Sequence, residues 1–436
     1  ALADSGADNW EQKPYLPIYE QANWFADGER FNLPDDFYSS RFLVDKIIEF
    51  IDSNPSSEAP FFAYLPFQAV HIPVQAPLSF IDRYKGVYDD GWEVLRTKRY
   101  EAAQALGLVP ENSAMEPMAS TESWQNLEPE TKRYQAKRME VYAAMVEAMD
   151  FHTGRLIQHL KNTGHYENTI FIFASDNGSE GSGAGVEPAP ANNLMLSLMD
   201  YNDDYETLGL KGSYGTIGPN FASAAASPLG YYKFYVGEGG LRVPLIIAGE
   251  PLNLSDPNSI IDAFSYATDI VPTILQLTGV PQPNGRYNSR EVEPIVGRSM
   301  VPLLQGQAKR IYGDDDAIGY ELNGHRALFL GDHKIVYNRP PIGDGIWHLY
   351  NIATDPGETQ DLREQQPQRF ARMQALYEQF VVEHGVLPVA EDFDPQQVML
   401  ARLVRDRFGG YLIALVCVVV ALVAFGFYRR RRLRTR

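Results

Sequence analysis

Apolar positions recur every three or four residues in several stretches, each leading into a short and wholly apolar run. Over 42–54 (FLVDKIIEFIDSN), Leu43, Ile47, Phe50 and Ile51 share one face of a predicted helix. After the Pro55-Ser56-Ser57 turn, the run 61–65 (FFAYL) predicts a buried strand. A longer helix is predicted over 132–161, with Met139, Tyr142, Val146, Met149, Thr153, Leu156 and Leu160 on one face and Gly164 at its C-terminal stop. The strand 169–174 (TIFIFA) follows directly, apolar on both faces. Another strand, 243–248 (VPLIIA), precedes a helix over 269–278 that Thr268 can cap and Gly279 can end.

Amphipathic helices alternating with wholly apolar strands predict an α/β fold, a mostly parallel sheet sandwiched by helices, whose ligands gather at the carboxyl ends of strands. Beyond residue 298 the pattern changes. Short strand candidates at 317–322, 327–329, 334–337 and 347–352 precede a helix at 367–384, which predicts a small C-terminal antiparallel sheet plus helix. The expected organisation is a large domain over 1–297, the sheet-and-helix subdomain over 298–385, and a linker over 386–408. Residues 179–232 are rich in Gly, Ser, Ala and Asn and too long for a simple connector, which marks a functional loop.

Residues 409–428 (GGYLIALVCVVVALVAFGFY) carry no charge over a length that matches a bilayer core of about 30 Å, and predict a transmembrane helix. The arginine-rich tail 429–436 then belongs in the cytoplasm. The large domain belongs on the extracytoplasmic, periplasmic side of a cytoplasmic membrane, with an export signal expected upstream of Ala1. The formal net charge of −18, although six arginines fall in the last eight residues, makes nucleic acid an improbable partner. The single cysteine, Cys417, excludes an intrachain disulfide and reads as an apolar filler of the predicted span.

Three positions carry candidate chemistry. The strand 169–174 opens into Ser175, Asp176, Asn177 and Gly178, where hard oxygen donors suit Ca²⁺ or Mg²⁺; an ordinary Asx-Gly turn is the plain alternative. The strand 61–65 leads to His71 among apolar residues and prolines, equally readable as a core histidine. Lys233 precedes a Gly-Gly turn in YYKFYVGEGGLRVP, equally readable as a solvated lysine. His152 and His159, seven apart on the long helix, read as surface residues, and Lys211 and Tyr214 as candidates to line a substrate mouth. The Gly237-Glu238-Gly239-Gly240 run lacks a preceding strand and a Gly-Lys-Ser/Thr, so it reads as a backbone turn and not as a nucleotide loop.

Together, in this order and spacing, these features resemble the sulfatase family of the alkaline phosphatase superfamily, and most closely its bacterial arylsulfatases. The resemblance runs over roughly residues 15–385 and rests on LPDDFYSSRFLVDKIIEFI, PFFAYLPFQAVHIPVQAP, YKGVYDDGWEVLR, TIFIFASDNGSEG, YYKFYVGEGGLRVP and WHLYNIATDPGETQDL. It implies a sulfuric ester hydrolase that releases sulfate from an organic sulfate monoester. It further implies one divalent cation, most commonly Ca²⁺, held partly by Asp176 and Asn177, with His71 and Lys233 contacting the ester as catalytic and substrate-binding residues.

The resemblance also implies two adjacent aspartates and a Cys/Ser-x-Pro-x-Arg motif whose first residue is converted to formylglycine by a maturation system. Neither an aspartate pair following the family's first strand nor that motif is found in the 436 residues: Cys417 is followed by Val418 and Val419, and Ser53-Asn54-Pro55-Ser56-Ser57 ends in serine. The chain is therefore expected to be an N-terminally truncated part of its parent, inactive alone. A phosphomonoesterase or phosphodiesterase on the same scaffold, and a noncatalytic membrane-tethered remnant, are the alternatives.

Overall fold

The computed structural model describes all residues except 1, 4–7, 17, 18, 20, 54–58, 116–121, 182–195, 342, 391, 392, 395, 396, 399, 400, 403, 406–408, 411–417, 419, 421, 424 and 426–436. Strands β1 (Leu2–Ala3), β2 (Trp24–Ala26) and β3 (Glu29–Arg30) form a small antiparallel sheet. Trp24 is buried beside Phe37 and Phe42, its ring edge-on to both at 5.2 and 6.1 Å. Helices α1 (Ser39–Asp52), α2 (Leu78–Ile81), α3 (Trp92–Ala105) and α4 (Pro129–Asn162) follow. The helices predicted over 42–54 and 132–161 are both present, the second starting earlier because Pro129 fits its first turn.

The buried face of α4 includes Met139 and Leu160 of the predicted row, with Tyr142, Met149, Thr153 and Leu156 half-buried, but it is wider than predicted and leaves Val146 out. Val141, Ala144, Met145, Ala148 and His152 face inward, whereas Val146 is exposed. Ala144 and Ala148 allow close approach of Phe80 and Ile81 on α2 and of Tyr38 and Val74, which adds a second buried row beside the one read from the sequence. His152 is consequently a core residue and not a surface one; burial first, and then Arg155, pull its pKa down to about 4.

Strand β4 (Phe171–Ala174) lies near the centre of the chain. Beyond it come α5 (Gly218–Ala225), packed on α3, then α6 (Glu238–Leu241), β5 (Leu245–Ala248) and α7 (Ile270–Thr278). β4 and β5 pair antiparallel, Phe171 opposite Ala248 and Ala174 opposite Leu245. The expected mostly parallel sheet is therefore not found among the described residues, where parallel pairing is confined to one isolated bridge, Asn202 to Ser213. Residues 61–65 are extended without a ladder partner, and Phe62 and Tyr64 stand 77% and 72% exposed. An apolar run becomes a strand only when another strand satisfies its backbone, and none of the described residues does so here.

At the start of α7 the buried Asp269 does more than the predicted Thr268 cap. Its carboxylate accepts the Tyr266 and Arg298 backbone N–H groups, each at 2.7 Å, and the Tyr312 hydroxyl at 2.6 Å. Gly279 ends the helix in the left-handed conformation, φ 68°, as its position predicts.

A two-stranded ribbon, β6 (Arg286–Tyr287) and β7 (Arg290–Glu291), and α8 (Val301–Leu304) lead to a four-stranded antiparallel sheet. Its strands are β8 (Ala317–Leu322), β9 (His325–Leu330), β10 (His333–Tyr337) and β11 (Trp347–Asn351), paired in sequence order, with α9 (Pro367–His384) across one face. Leu328, Leu330, Ile335 and Leu349 pack there against Met373 and Tyr377. The predicted antiparallel sheet and helix are thus present.

The expected membrane span is likewise overturned. Among the described residues no helix is long and apolar enough to cross a membrane, so the predicted transmembrane helix at 409–428 is not supported. Most of that span, with the tail 429–436, lies outside the described residues; the helical positions described in it are Gly409, Gly410 and scattered residues from Val418 to Phe425. With the helix fall the lipid bilayer as partner and the placement of the large domain outside a cytoplasmic membrane.

Candidate functional site

β4 ends at Ala174, and the chain turns through Ser175, Asp176, Asn177 and Gly178 back toward the segment that precedes β5. The Gly178 N–H donates to the Gly240 carbonyl at 3.0 Å, and a Cβ on Gly178 would lie 1.9 Å from the Gly239 carbonyl oxygen, so only glycine fits. One residue on, the Lys233 N–H donates to the Ser179 carbonyl at 3.0 Å, and the Ser179 hydroxyl donates to the Ala222 carbonyl at 2.6 Å. These bonds tie the turn after β4 to the Lys233 segment.

That segment is strained. Tyr231 and Phe234, on either side of Lys233, have φ of 67° and 80°, a region that bulky side chains avoid. Its conformation is held from the C-terminal sheet. The Val236 N–H donates to Asn338 Oδ1 at 3.1 Å, and the Glu238 N–H donates to Glu358 Oε2 at 2.9 Å. Lys334 on β10 is wholly buried and binds Glu238 Oε1 at 2.8 Å and Glu358 Oε1 at 2.9 Å. Burial pushes Glu358 up to about 7 against the pull of Lys334. Burial lowers Lys334, but its two carboxylates more than offset that and leave it raised.

His71 comes from a third segment. Its Nδ1 lies 2.9 Å from the Ile72 carbonyl, which can only accept; Nδ1 therefore carries the hydrogen, and Nε2 is left bare in the neutral ring. The Tyr15 ring meets the imidazole edge-on at 5.2 Å. His71 Nε2 faces Glu180 Oε2 at 3.8 Å, and the same oxygen pairs with Lys233 Nζ at 2.6 Å. Burial and then Lys233 lower the His71 pKa, opposed by the Ile72 carbonyl, Glu180 and Asp176.

The structure thus brings His71 and Lys233 onto one carboxylate, within the electrostatic reach of Asp176. Asp176 is exposed and Asn177 half-buried, its Nδ2 donating to the Gly178 carbonyl at 2.9 Å. Among the described residues no group of three or more His, Cys, Asp or Glu side chains is arranged to hold a metal ion. Tyr214 is fully buried in the core against Tyr201, so it lines no mouth, and Lys211 pairs with Glu11 at 3.3 Å. Sequence reasoning missed Glu180; an acidic residue inside the Gly- and Ser-rich SDNGSEG run was the available signal.

Against known proteins, the sulfatase family model matches residues 3–280. The chain belongs to the sulfatase family. These are sulfuric ester hydrolases of the alkaline phosphatase superfamily. This sulfatase is 37% identical over 390 residues to an uncharacterized sulfatase of Schizosaccharomyces pombe, covering 89% of the chain and 69% of that protein. It is 34% identical over 280 residues to the arylsulfatase of Klebsiella aerogenes, covering 64% of the chain and 58% of that protein. The chain thus spans about 58–69% of the length of these two relatives. The structure of BT4656 in complex with its substrate D-glucosamine-2-N,6-O-disulfate superposes with a TM-score of 0.52 at 16% identity, covering 86% of the chain and 74% of that protein. That likeness concerns the fold.

Proposed function

We propose that the protein to which these residues belong hydrolyses organic sulfate monoesters at the site built by His71, Lys233, Asp176 and Asn177. The convergence of Lys233 Nζ and His71 Nε2 at one point beside the β4 turn carries the reading. A sulfate monoester is anionic, and its leaving oxygen gains charge as the S–O bond breaks. The Lys233 ammonium is suited to bind sulfuryl oxygens, and His71 Nε2 to pass a proton to the leaving oxygen. In the ligand-free site burial and Lys233 keep the imidazole short of protons; an anionic ester arriving beside Nε2 opposes both effects and favours the imidazolium.

Asp176 and Asn177 offer two hard oxygen donors, which fit one side of a Ca²⁺ or Mg²⁺ shell but not the six or so that such an ion requires. When bound, the cation would supply positive charge that polarises the ester and its nucleophile. The remaining ligands and a formylglycine nucleophile made by a maturation system are to be sought outside residues 1–436, whose sequence holds no Cys/Ser-x-Pro-x-Arg. The exposed Phe62 and Tyr64, and the exposed Ile246 on β5, are apolar surface suited to cover by such a segment.

The test compares the full polypeptide encoded by the gene on 4-nitrophenyl sulfate, 4-nitrophenyl phosphate and a phosphonate monoester. The expected result is preferential sulfate release, with His71→Ala and Lys233→Ala each lowering kcat/KM by about 10²- to 10⁴-fold. Preference for either phosphorus ester would overturn the substrate class. Turnover by residues 1–436 alone, abolished by Asp176→Ala, would overturn the external nucleophile.

A further inference from the structure

Glu180 is a charged residue with no role in the reaction outlined above, yet both nitrogen-bearing side chains of the site converge on it. Its Oε2 is 2.6 Å from Lys233 Nζ and 3.8 Å from His71 Nε2. Two geometries could produce such a bridge. A carboxylate in the mouth of the site would occupy the place of a sulfuryl oxygen and have to leave before substrate entered. A carboxylate beneath the site would hold the two side chains from behind and stay in place during turnover.

The order of exposure separates the two. Glu180 is 7% exposed, Lys233 16% and His71 37%, so solvent reaches the imidazole first and the carboxylate last. Backbone anchoring agrees with this order. Ser179, next to Glu180, accepts from the Lys233 N–H and donates to Ala222, which fixes the carboxylate's stem and the lysine's stem to each other.

We propose that Glu180 is a positioning residue: from beneath the site it fixes the Lys233 ammonium and orients charge toward His71 Nε2, leaving the outer faces of both for an anionic ester. The role in turnover rests on the sulfatase reading; the electrostatic arrangement does not. The groups facing His71 are Lys233, which opposes its protonation, Glu180 and Asp176, which favour it, the Tyr15 ring edge, and the Ile72 carbonyl on its own segment. Neutralising Glu180 and neutralising Lys233 must therefore act on His71 in opposite directions. That opposition tests the charge arrangement; the kcat-against-KM split below tests the positioning role.

The experiment follows the His71 ring resonances of the 436-residue chain by NMR with labelled histidine, assigned through their loss in His71→Gln. In Glu180→Gln the titration midpoint should fall by about 0.5 to 1 pH unit, the size expected for a charge removed at this separation across a partly hydrated gap. In Lys233→Met it should rise. Far-UV circular dichroism matching the parent chain establishes that each variant is folded, and Glu180→Asp, which retains the charge, should restore most of the midpoint. Superimposable curves for the parent and Glu180→Gln, or shifts of the same sign in Glu180→Gln and Lys233→Met, would overturn the proposal. In the full polypeptide, Glu180→Gln should lower kcat by about 10- to 100-fold and leave KM within a few-fold, the pattern of a lost supporting contact. A large rise in KM at unchanged kcat would place Glu180 in direct substrate binding and likewise overturn it. Failure of every polypeptide to turn over sulfate esters would sink the sulfatase reading, while the NMR midpoints would still decide the role of Glu180.

Discussion

Lys334→Met tests whether the C-terminal sheet anchors the Lys233 segment. The substitution keeps the length and most of the volume of the side chain and removes only its charge. Lys334 is wholly buried between Glu238 and Glu358, at 2.8 and 2.9 Å, and both carboxylates are themselves almost fully buried. Two buried carboxylates would be left facing each other without a cation, and removing one partner from a buried pair costs about 3–5 kcal/mol. The cost should depend on pH with a definite sign. Glu358 is held at about 7 in the fold against an ordinary 4.5, so the folded state binds its proton more tightly than the unfolded state. The stability from that proton is fully present below about pH 4.5 and is lost as pH rises through about 7. At pH 5 a protonated Glu358 can donate to Glu238 and soften the loss, whereas at pH 8 the variant must either charge Glu358 without its cation or hold its proton against the higher pH, and either costs stability. Urea unfolding of the parent chain and Lys334→Met, followed by circular dichroism and by tryptophan fluorescence, should give the larger gap at pH 8. Glu358→Gln in the Lys334→Met background should recover most of it. A gap below about 1 kcal/mol at pH 8, the worth of an exposed pair, would refute the anchoring argument, as would a larger gap at pH 5.

Three further outcomes are expected. Gly178→Ala forces a Cβ to within 1.9 Å of the Gly239 carbonyl, so the variant should lose several kcal/mol of stability or fail to accumulate; a parent-like thermal midpoint would show that the turn after β4 can move. His152, lowered to about 4 by burial and Arg155, binds protons more weakly folded than unfolded, so its contribution is present above about 6.5 and lost as pH falls through 4; His152→Gln should flatten that acid limb in urea titrations. In the full polypeptide, chelation by EDTA should abolish turnover and Ca²⁺ should restore it, whereas Asp176→Ala should resist restoration. Restoration equal to the parent's would remove Asp176 from the proposed cation site.

What could be read from sequence followed the range of the interaction. α9 has the ends predicted for it, α7 begins one residue later than predicted and ends as predicted, and β8 matches its predicted span, because periodicity, a proline in the first turn and a terminal glycine are local signals. The positions of His71, Lys233, Asp176 and Asn177 came from motif order, and their roles remain for experiment to decide. Helix α4 and part of its buried face, Met139 and Leu160, were legible, but the alanine row was not, since Ala144 and Ala148 are selected by what lies against them.

The sequence by itself determined the ends of α9 and β8 and the stop of α7, because those choices depend on neighbours within a few residues. Tertiary structure alone decided which strands pair and in which direction, as in β4 against β5, because backbone hydrogen bonding depends on a partner distant in the chain. It also decided the fate of charge. Lys334, Glu238, Glu358 and Glu180 look like ordinary surface residues in a linear reading, and only burial, by removing water, makes each depend on the partner the fold brings within 3 Å.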